Sequence, residues 1–418
     1  MLTKPEHIQA VFKDSDKHAK AVNNNSGYLL SQLLGRCVGL ISHDAYKRLR
    51  DVTQPPFTHK AAINYIPLIQ TRVQRHLEQQ SRSTSSRLHE GIIHPANDLR
   101  MLPFWIVAEI IYGDLSSELE TELEAIVPIR EGLMKYVISG GIARFSWSRY
   151  FRTAANTDLA HFKDRWRKFN DKARTMAGGK TGAPTPIVSM YEAVENGECT
   201  LEELLQTLDE MLFANLDVTL GGLTWNLVQL AAHEDVQSRL RKEIVAAKRD
   251  AQRHSHMPFG AAFASYLDRA DSYIQAVISE SSRLRPLAAF SVPQSAPTSR
   301  ILDGYEIPAG TNFIIDSHSL NQRNAFWGSD GVTFRPQRFL ECSAAEARYN
   351  FWRFGFGPRQ CMGKYVADLI IRAILVELVE HYDLSLIDEE SEWKRDEEVW
   401  IDHPVMELKC TKRRNNAT

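Results

Sequence analysis

Apolar positions recur at helical spacing along most of the chain, and short extended stretches gather toward its C-terminal third, so the sequence predicts a mainly α protein with a small β region. Met1–Lys13 reads as a helix with Thr3 as N-cap, Pro5 in the first turn, and Ile8, Val11 and Phe12 on one face. A polar, Asn-rich loop, Lys17–Ser26, separates it from a short apolar helix, Gly27–Leu34, and a basic helix, His43–Arg50. Ala61–Gln80 repeats apolar residues at Ile63, Ile66, Ile69, Val73 and Leu77, and Pro67 should kink this helix or mark its first turn. Ile92–Gly113, with apolar Met101–Tyr112, predicts a central helix, and Ser117–Ile138 and Asp158–Ala177 predict two more. Ser81–Ser86, Ser139–Trp147 and Ala177–Pro186 read as loops or turns. The longest helical signal, Thr200–Ala232, opens with a capping box, Thr200 and Glu203. Leu267–Leu284 follows, then a hairpin at Gly304–Thr311, a buried helix from Lys364 and a last β-turn at Trp400–Pro404.

Composition narrows the function classes. The 418 residues are 43% hydrophobic and 24% charged with net charge -2, which gives no electrostatic case for nucleic acid. Five widely spaced cysteines without a CxxC argue against a disulfide framework and a structural zinc site. No apolar run approaches the ~18 residues of a membrane-spanning helix, and no secretory signal opens the chain, so a soluble protein is expected.

The candidate chemistry lies at Phe354-Gly355-Phe356-Gly357-Pro358-Arg359-Gln360-Cys361-Met362-Gly363. Three glycines permit angles and close approaches that a Cβ obstructs, and Pro358 stiffens the loop. Cys361 stands just before a helix N-terminus, where the dipole and free N–H groups favour a thiolate. This stretch resembles the haem-binding loop of the cytochrome P-450 superfamily, Phe-x-x-Gly-x-Arg-x-Cys-x-Gly, with Phe354, Gly357, Arg359, Cys361 and Gly363 in its fixed positions. The resemblance implies heme b with Cys361 as its axial thiolate and metal ligand, Arg359 on a propionate, and Phe354 and Gly363 against the cofactor.

Further stretches resemble the same family. Arg50 fits the arginine that reaches a propionate from an early helix, with Tyr46 where members carry Trp. In the distal helix Asp217 matches the conserved-type acid, Asn215 falls on a Gly, Val218 on the oxygen-side Thr, and Thr219 on the second Thr. Because neighbouring helix residues point ~100° apart, Thr219 does not simply replace the missing hydroxyl. Proton delivery is therefore expected from Asp217 with ordered water, from Asn215, or from a substrate hydroxyl. Glu280 and Arg283 match Glu-x-x-Arg, and Arg338 fits its later arginine partner, a structural trio. Leu287-Ala288-Ala289-Phe290-Ser291 resembles the substrate-contacting strand beside the haem, so Phe213, Ala214, Leu287, Ala289 and Phe290 are the expected pocket residues. Pro293-Gln294 falls where many members place a propionate-binding Arg or His. Adjacent Asp402 and His403 face opposite ways in a strand and are not expected to act as a pair.

The resemblance covers nearly the whole chain as one domain, 1–418, of cytochrome P-450 fold. It implies a monooxygenase acting on a small hydrophobic substrate, with electrons from an NADPH-dependent flavoprotein reductase docked at Lys47, Arg48, Arg353 and Lys364. The texture of the motifs looks most like filamentous-fungal enzymes of secondary metabolism, of the diketopiperazine and gliotoxin-like type. Alternatives are radical coupling without oxygen insertion, a haem-binding relic without turnover, or an isomerase or dehydratase working on a peroxide. Members of this eukaryotic type open with a membrane anchor, a Pro-rich hinge, an A helix and two strands, and at full length face the cytosol from the endoplasmic reticulum. None of these segments is read before Met1, so an N-terminally truncated member with an unpaired sheet edge and poor stability is expected.

Overall fold

A computed structural model describes residues 1–21, 27–83, 86–179, 185–253, 259–388, 393, 401 and 403–413. Long helices stack around one extended apolar core, and the strands form three small antiparallel sheets at its margins. Met101–Tyr112 and Val218–Ala232 are apolar nearly all round, as burial on every side requires, and Lys364–His381 is buried along most of its length. A second, smaller core joins the first helix to the Cys361 loop through Ile8, Phe12, Phe313, Leu320 and Phe356.

Several boundaries depart from the sequence reading, each for a local reason. The first helix runs Pro5–Phe12, with Lys4 rather than Thr3 at its N-cap and no side chain capping it. Pro67 lies in the first turn of Ile66–Arg82, separated from His59–Asn64 by a break at Tyr65, which leaves Ile63 only partly buried. In the Ile92–Gly113 stretch, Ile92–Ile93 is a strand and Pro95–Asp98 a single turn before Met101–Tyr112. Leu267–Leu284 is two helices, Phe259–Asp268 and Tyr273–Leu284, the second capped by Ser272. The Thr200/Glu203 capping box forms, but Thr200–Ala232 is not continuous. Leu201–Phe213 gives way to a 3-10 turn, Ala214–Leu216, before Val218–Ala232.

The strands pair over long sequence distances. Ala19–Lys20, inside the stretch read as loop, pairs with Gln294–Ser295, which pairs in turn with Asn312–Phe313. The predicted hairpin turns earlier, at Asp303 and Gly304, both with positive φ, so that Tyr305–Ile307 is itself a strand paired with Arg300–Leu302. Ile92–Ile93, Leu408–Lys412 and Tyr382–Leu386 make the third sheet. Leu2 bridges Ile315 beside the first sheet, with backbone bonds to Ile314 and Asp316 that occupy part of the edge expected to be open. Trp400 and Asp402 lie outside the described residues. Among those described, no helix is long and apolar enough to cross a membrane.

Candidate functional site

The Cys361 loop is built by contacts on three sides. Cys361 N–H donates to Phe354 O at 2.7 Å, closing the loop on itself, and Gly357–Arg359 forms a 3-10 turn inside it. Gly355 and Gly357 take positive φ, and a Cβ on Gly357 would stand 2.1 Å from Phe12 O, so only glycine lets the loop lie against the first helix. Ser15 Oγ is shared by the loop, accepting from Arg359 N–H and lying 3.4 Å from Phe356 O. Asn321 clamps the approach through both Trp352 backbone groups.

Cys361 itself is accessible to a water-sized sphere yet surrounded by protein at longer range, the combination of a group lining a deep recess. Burial pushes its thiol pKa up, against the pull of the Gly363 N–H and the Arg50 and Lys364 charges. The helix terminus expected to favour the thiolate is therefore outweighed by desolvation in the protein alone. A bound metal cation reverses that balance by deprotonating the thiol it binds.

The surroundings fit a haem. Gly363 has an ordinary φ of -80° and no protein atom within 4 Å of where a Cβ would stand, so nothing in the polypeptide requires glycine there. Arg50 donates to Gln54 Oε1, the Tyr46 hydroxyl and Gln360 O, and Arg359 to the backbone carbonyls of Ile41 and His18. Among the described residues, neither is hydrogen-bonded to a carboxylate. Tyr46, in the position of the family's Trp, is buried beneath both arginines: Arg359 stacks on its ring at 4.0 Å, and its hydroxyl donates to Pro358 O. Among the described residues, the Oε1 of buried Gln294 is unpartnered, and the ring of buried His18 has the Asp14 carboxylate 3.6 Å from its Nε2.

The interruption at Ala214–Leu216 carries the distal residues. Asn215 Nδ2 donates to Met211 O, and Thr219 Oγ1 donates to Asn215 Oδ1 at 2.7 Å. Thr219 is buried, whereas Val218, one residue before, is 41% exposed. Ala214 is exposed one turn earlier, and Ala214 and Val218 share a helix face. Asp217 is half-buried and close enough to Glu131 for its charge to add to the burial that raises the Glu131 pKa.

Among the expected pocket residues, Ala214, Ala289 and the 56% exposed Phe290 present surface. Leu287 Cδ1 stands 3.7 Å from where a Cβ on Gly222 would be, which joins the 287–290 segment to the distal helix. Phe213 differs: it is 6% exposed and packs among Phe104, Phe162 and Trp166, a core position without ligand-facing surface. A separate cleft of about 280 Å³, lined by Leu33, Phe162, Trp166 and Leu205, does not reach Cys361.

Glu280 is fully buried and accepts from Arg283 Nε (2.7 Å) and Nη2 (2.9 Å), Arg338 Nε (2.9 Å) and the Arg335 N–H. The docking patch is less charged than the sequence suggested. Arg353 is paired with Asp368, and Lys47 lies 3.7 Å from Asp16. Two polar residues passed over in the sequence stand beside Arg359. Lys20 lies on a strand read as loop, and its pKa falls to about 7 through burial and the Arg359 charge. Glu210 accepts the Gly39 N–H, and its pKa is raised by burial. Glu210 follows Asp209 in an amphipathic helix and Lys20 lies in a polar stretch, so only their tertiary neighbours single them out.

The sequence model of the cytochrome P450 family matches residues 1–409. The chain is 51% identical to cytochrome P450 monooxygenase aclC of Aspergillus oryzae, with 100% of this chain and 83% of that protein covered. It is 48% identical to cytochrome P450 monooxygenase asaD of Aspergillus flavus (99% and 78%) and 38% identical to gliC of Aspergillus fumigatus (98% and 80%). With its helical body, its small sheets and a cysteine loop that fills every fixed position of the haem motif, this chain belongs to the cytochrome P450 family of haem-dependent oxidoreductases.

Proposed function

We propose that this enzyme inserts one atom of dioxygen into a hydrophobic small molecule of fungal secondary metabolism, with Cys361 as the axial ligand. The observation that carries the reading is Cys361 lining a recess, in a loop closed by its own N–H on Phe354 O. Haem b bound through a thiolate supplies electron-rich iron that favours O–O cleavage. The polypeptide supplies the rest. Arg50 and Arg359 hold propionates, and Phe354 and Gly363 pack on the cofactor face. Glu280, Arg283 and Arg338 fix the frame behind the loop through a carboxylate with no unsatisfied oxygen. Ala214, Leu287, Ala289 and Phe290 offer apolar surface that orients the substrate and excludes water.

Protons reach the distal side through Asp217 and ordered water. The Thr219 hydroxyl is occupied by its hydrogen bond to Asn215, which leaves the relay to Asp217. Electrons come from NADPH through a flavoprotein reductase, the arrangement general in this family, which docks near Lys364 and the 43–53 helix.

Val218 favours a second reading, radical coupling or ring closure without oxygen insertion, in which a weakened relay costs less. Turnover with reductase, NADPH and isotopically labelled dioxygen decides between them. Label in the product supports insertion; an oxidised, unlabelled product overturns it.

A further inference from the structure

We propose that Lys20 is a third haem-propionate ligand, completing with Arg50 and Arg359 the anion site that Gln294 leaves uncharged. The inference rests on Cys361 holding haem.

Two backbone contacts place Lys20, and two more bring Arg359 to the residues beside them. The Lys20 strand pairs with Gln294–Ser295 in a register that puts Lys20 directly opposite Gln294. Directly opposed residues project their side chains to the same face, about 5 Å apart at Cβ. Its N–H donates to Ser42 Oγ at 2.8 Å, which ties it to the residue preceding the helix that carries Tyr46 and Arg50. Arg359 Nη1 reaches His18 O two residues before it, and Arg359 Nη2 reaches Ile41 O next to Ser42. Lys20, Arg50 and Arg359 thus converge from three separate segments on one side of the Cys361 loop.

Their charges are not balanced within the polypeptide. Elsewhere in the fold, three of the four described buried arginines sit on carboxylates, Arg130 on Asp209 and Arg283 and Arg338 on Glu280, while Arg372 is held by the Gln275 amide and the Leu267 and Arg269 carbonyls. Among the described residues, the Lys20 ammonium has no hydrogen bond or ion pair. The nearest buried acid, Glu210, is committed to the Gly39 N–H and the Cys37 thiol. Lys20 is only partly accessible at its surface but closely surrounded at longer range, the same recess-lining character as Cys361. A buried ammonium beside the Arg359 guanidinium, which itself feels the Arg50 charge, is unfavourable until an anion joins them. Haem brings two carboxylates, and the rung partner Gln294 contributes an orphaned amide but no charge.

The test is the rate of haem loss from the holoenzyme to an excess of apomyoglobin, followed at the Soret band. Wild type, Lys20→Gln, Lys20→Arg and the Lys20→Gln/Gln294→Arg double variant are compared, each also reconstituted with haem dimethyl ester. Lys20→Gln should lose haem about 10-fold faster, the value of one charge-assisted hydrogen bond. Lys20→Arg should stay near wild type, and the double variant should recover most of the loss by moving the charge across the rung. With the dimethyl ester, wild type and Lys20→Gln should become alike. Unchanged haem loss in Lys20→Gln overturns the proposal. A loss that persists with the dimethyl ester overturns it too, by showing that the effect is on folding. A wild-type protein without a thiolate-type reduced carbon monoxide spectrum fails at the earlier step and takes both readings down.

Discussion

Two clusters of buried cations in this molecule have opposite charge balance. Around Glu280, every strong donor has an acceptor inside the chain: Arg283 and Arg338 share the carboxylate, and Arg283 Nη1 also donates to Asn321 O and Gly331 O. Around Arg359, three cations from distant segments have no carboxylate in hydrogen-bond or ion-pair contact among the described residues; the arginines meet neutral acceptors and a tyrosine ring, and the Glu210 and Asp16 carboxylates act at longer range. A buried charge satisfied within the polypeptide is framework, because nothing further is gained by binding. A buried charge left without a counter-ion has a cost that an anionic ligand removes. The difference separates what holds the site from what the site holds.

The largest expected effect comes from converting the first cluster into the second. Glu280→Gln leaves Arg283 without a counter-charge and Arg338 with only the exposed Asp330 carboxylate at 3.4 Å, and should cost about 3–5 kcal/mol, lowering the melting temperature on the order of 10 °C with or without haem. A melt within a degree or two of wild type would contradict the framework assignment. Next is Arg359→Leu, which should weaken haem retention about 10-fold or more while leaving the haem-free protein no less stable, since a cost of burial is also removed. Equal destabilisation of both forms, measured by thermal melts, would place Arg359 with the framework instead.

A subtler effect is on pH dependence. The folded pKa of Lys20, about 7, lies below its ordinary 10.5, so the unfolded chain binds more protons between those values. The haem-free protein should therefore gain stability as pH rises from about 7, and lose it as pH falls through the folded value. Arg359, Glu210 and Cys37 face the same ammonium and set the size of the slope. Lys20→Met should flatten that part of the melting-temperature profile, and haem should do the same in wild type by keeping the ammonium charged. An unaltered profile in the variant would contradict this. The smallest effect is at Val218, whose exposed face carries no hydroxyl. Val218→Thr should raise the fraction of NADPH electrons recovered in product a few-fold at most; a fall would argue that the relay is already complete.

These clusters were unequally legible in the sequence. Glu280 and Arg283 lie one helical turn apart, and the Cys361 loop holds its fixed residues within ten positions, so both show as local spacing. The site of the helix break at Ala214–Leu216 was not legible, because Leu-Phe-Ala-Asn-Leu has good helix formers on both sides. The interruption coincides with the Asn215 side chain taking Met211 O. Phe213 closes the helix before that turn and packs on Phe104, Phe162 and Trp166, neighbours from distant segments that local spacing does not show. Lys20 was invisible in a different way. A two-residue strand in a polar stretch has no periodicity, and its partner is Gln294, far along the chain. Thr3 lost the cap position to Lys4 because Pro5 opens the helix, a one-residue shift of the kind common at helix ends.

The account stands most directly on the absorption spectrum of the dithionite-reduced, carbon-monoxide-bound protein, recorded beside Cys361→Ser. It predicts a strongly red-shifted Soret band in wild type that is lost in the variant while helical content is kept. An imidazole-like band in both proteins, or a red-shifted band that survives in Cys361→Ser, would contradict it.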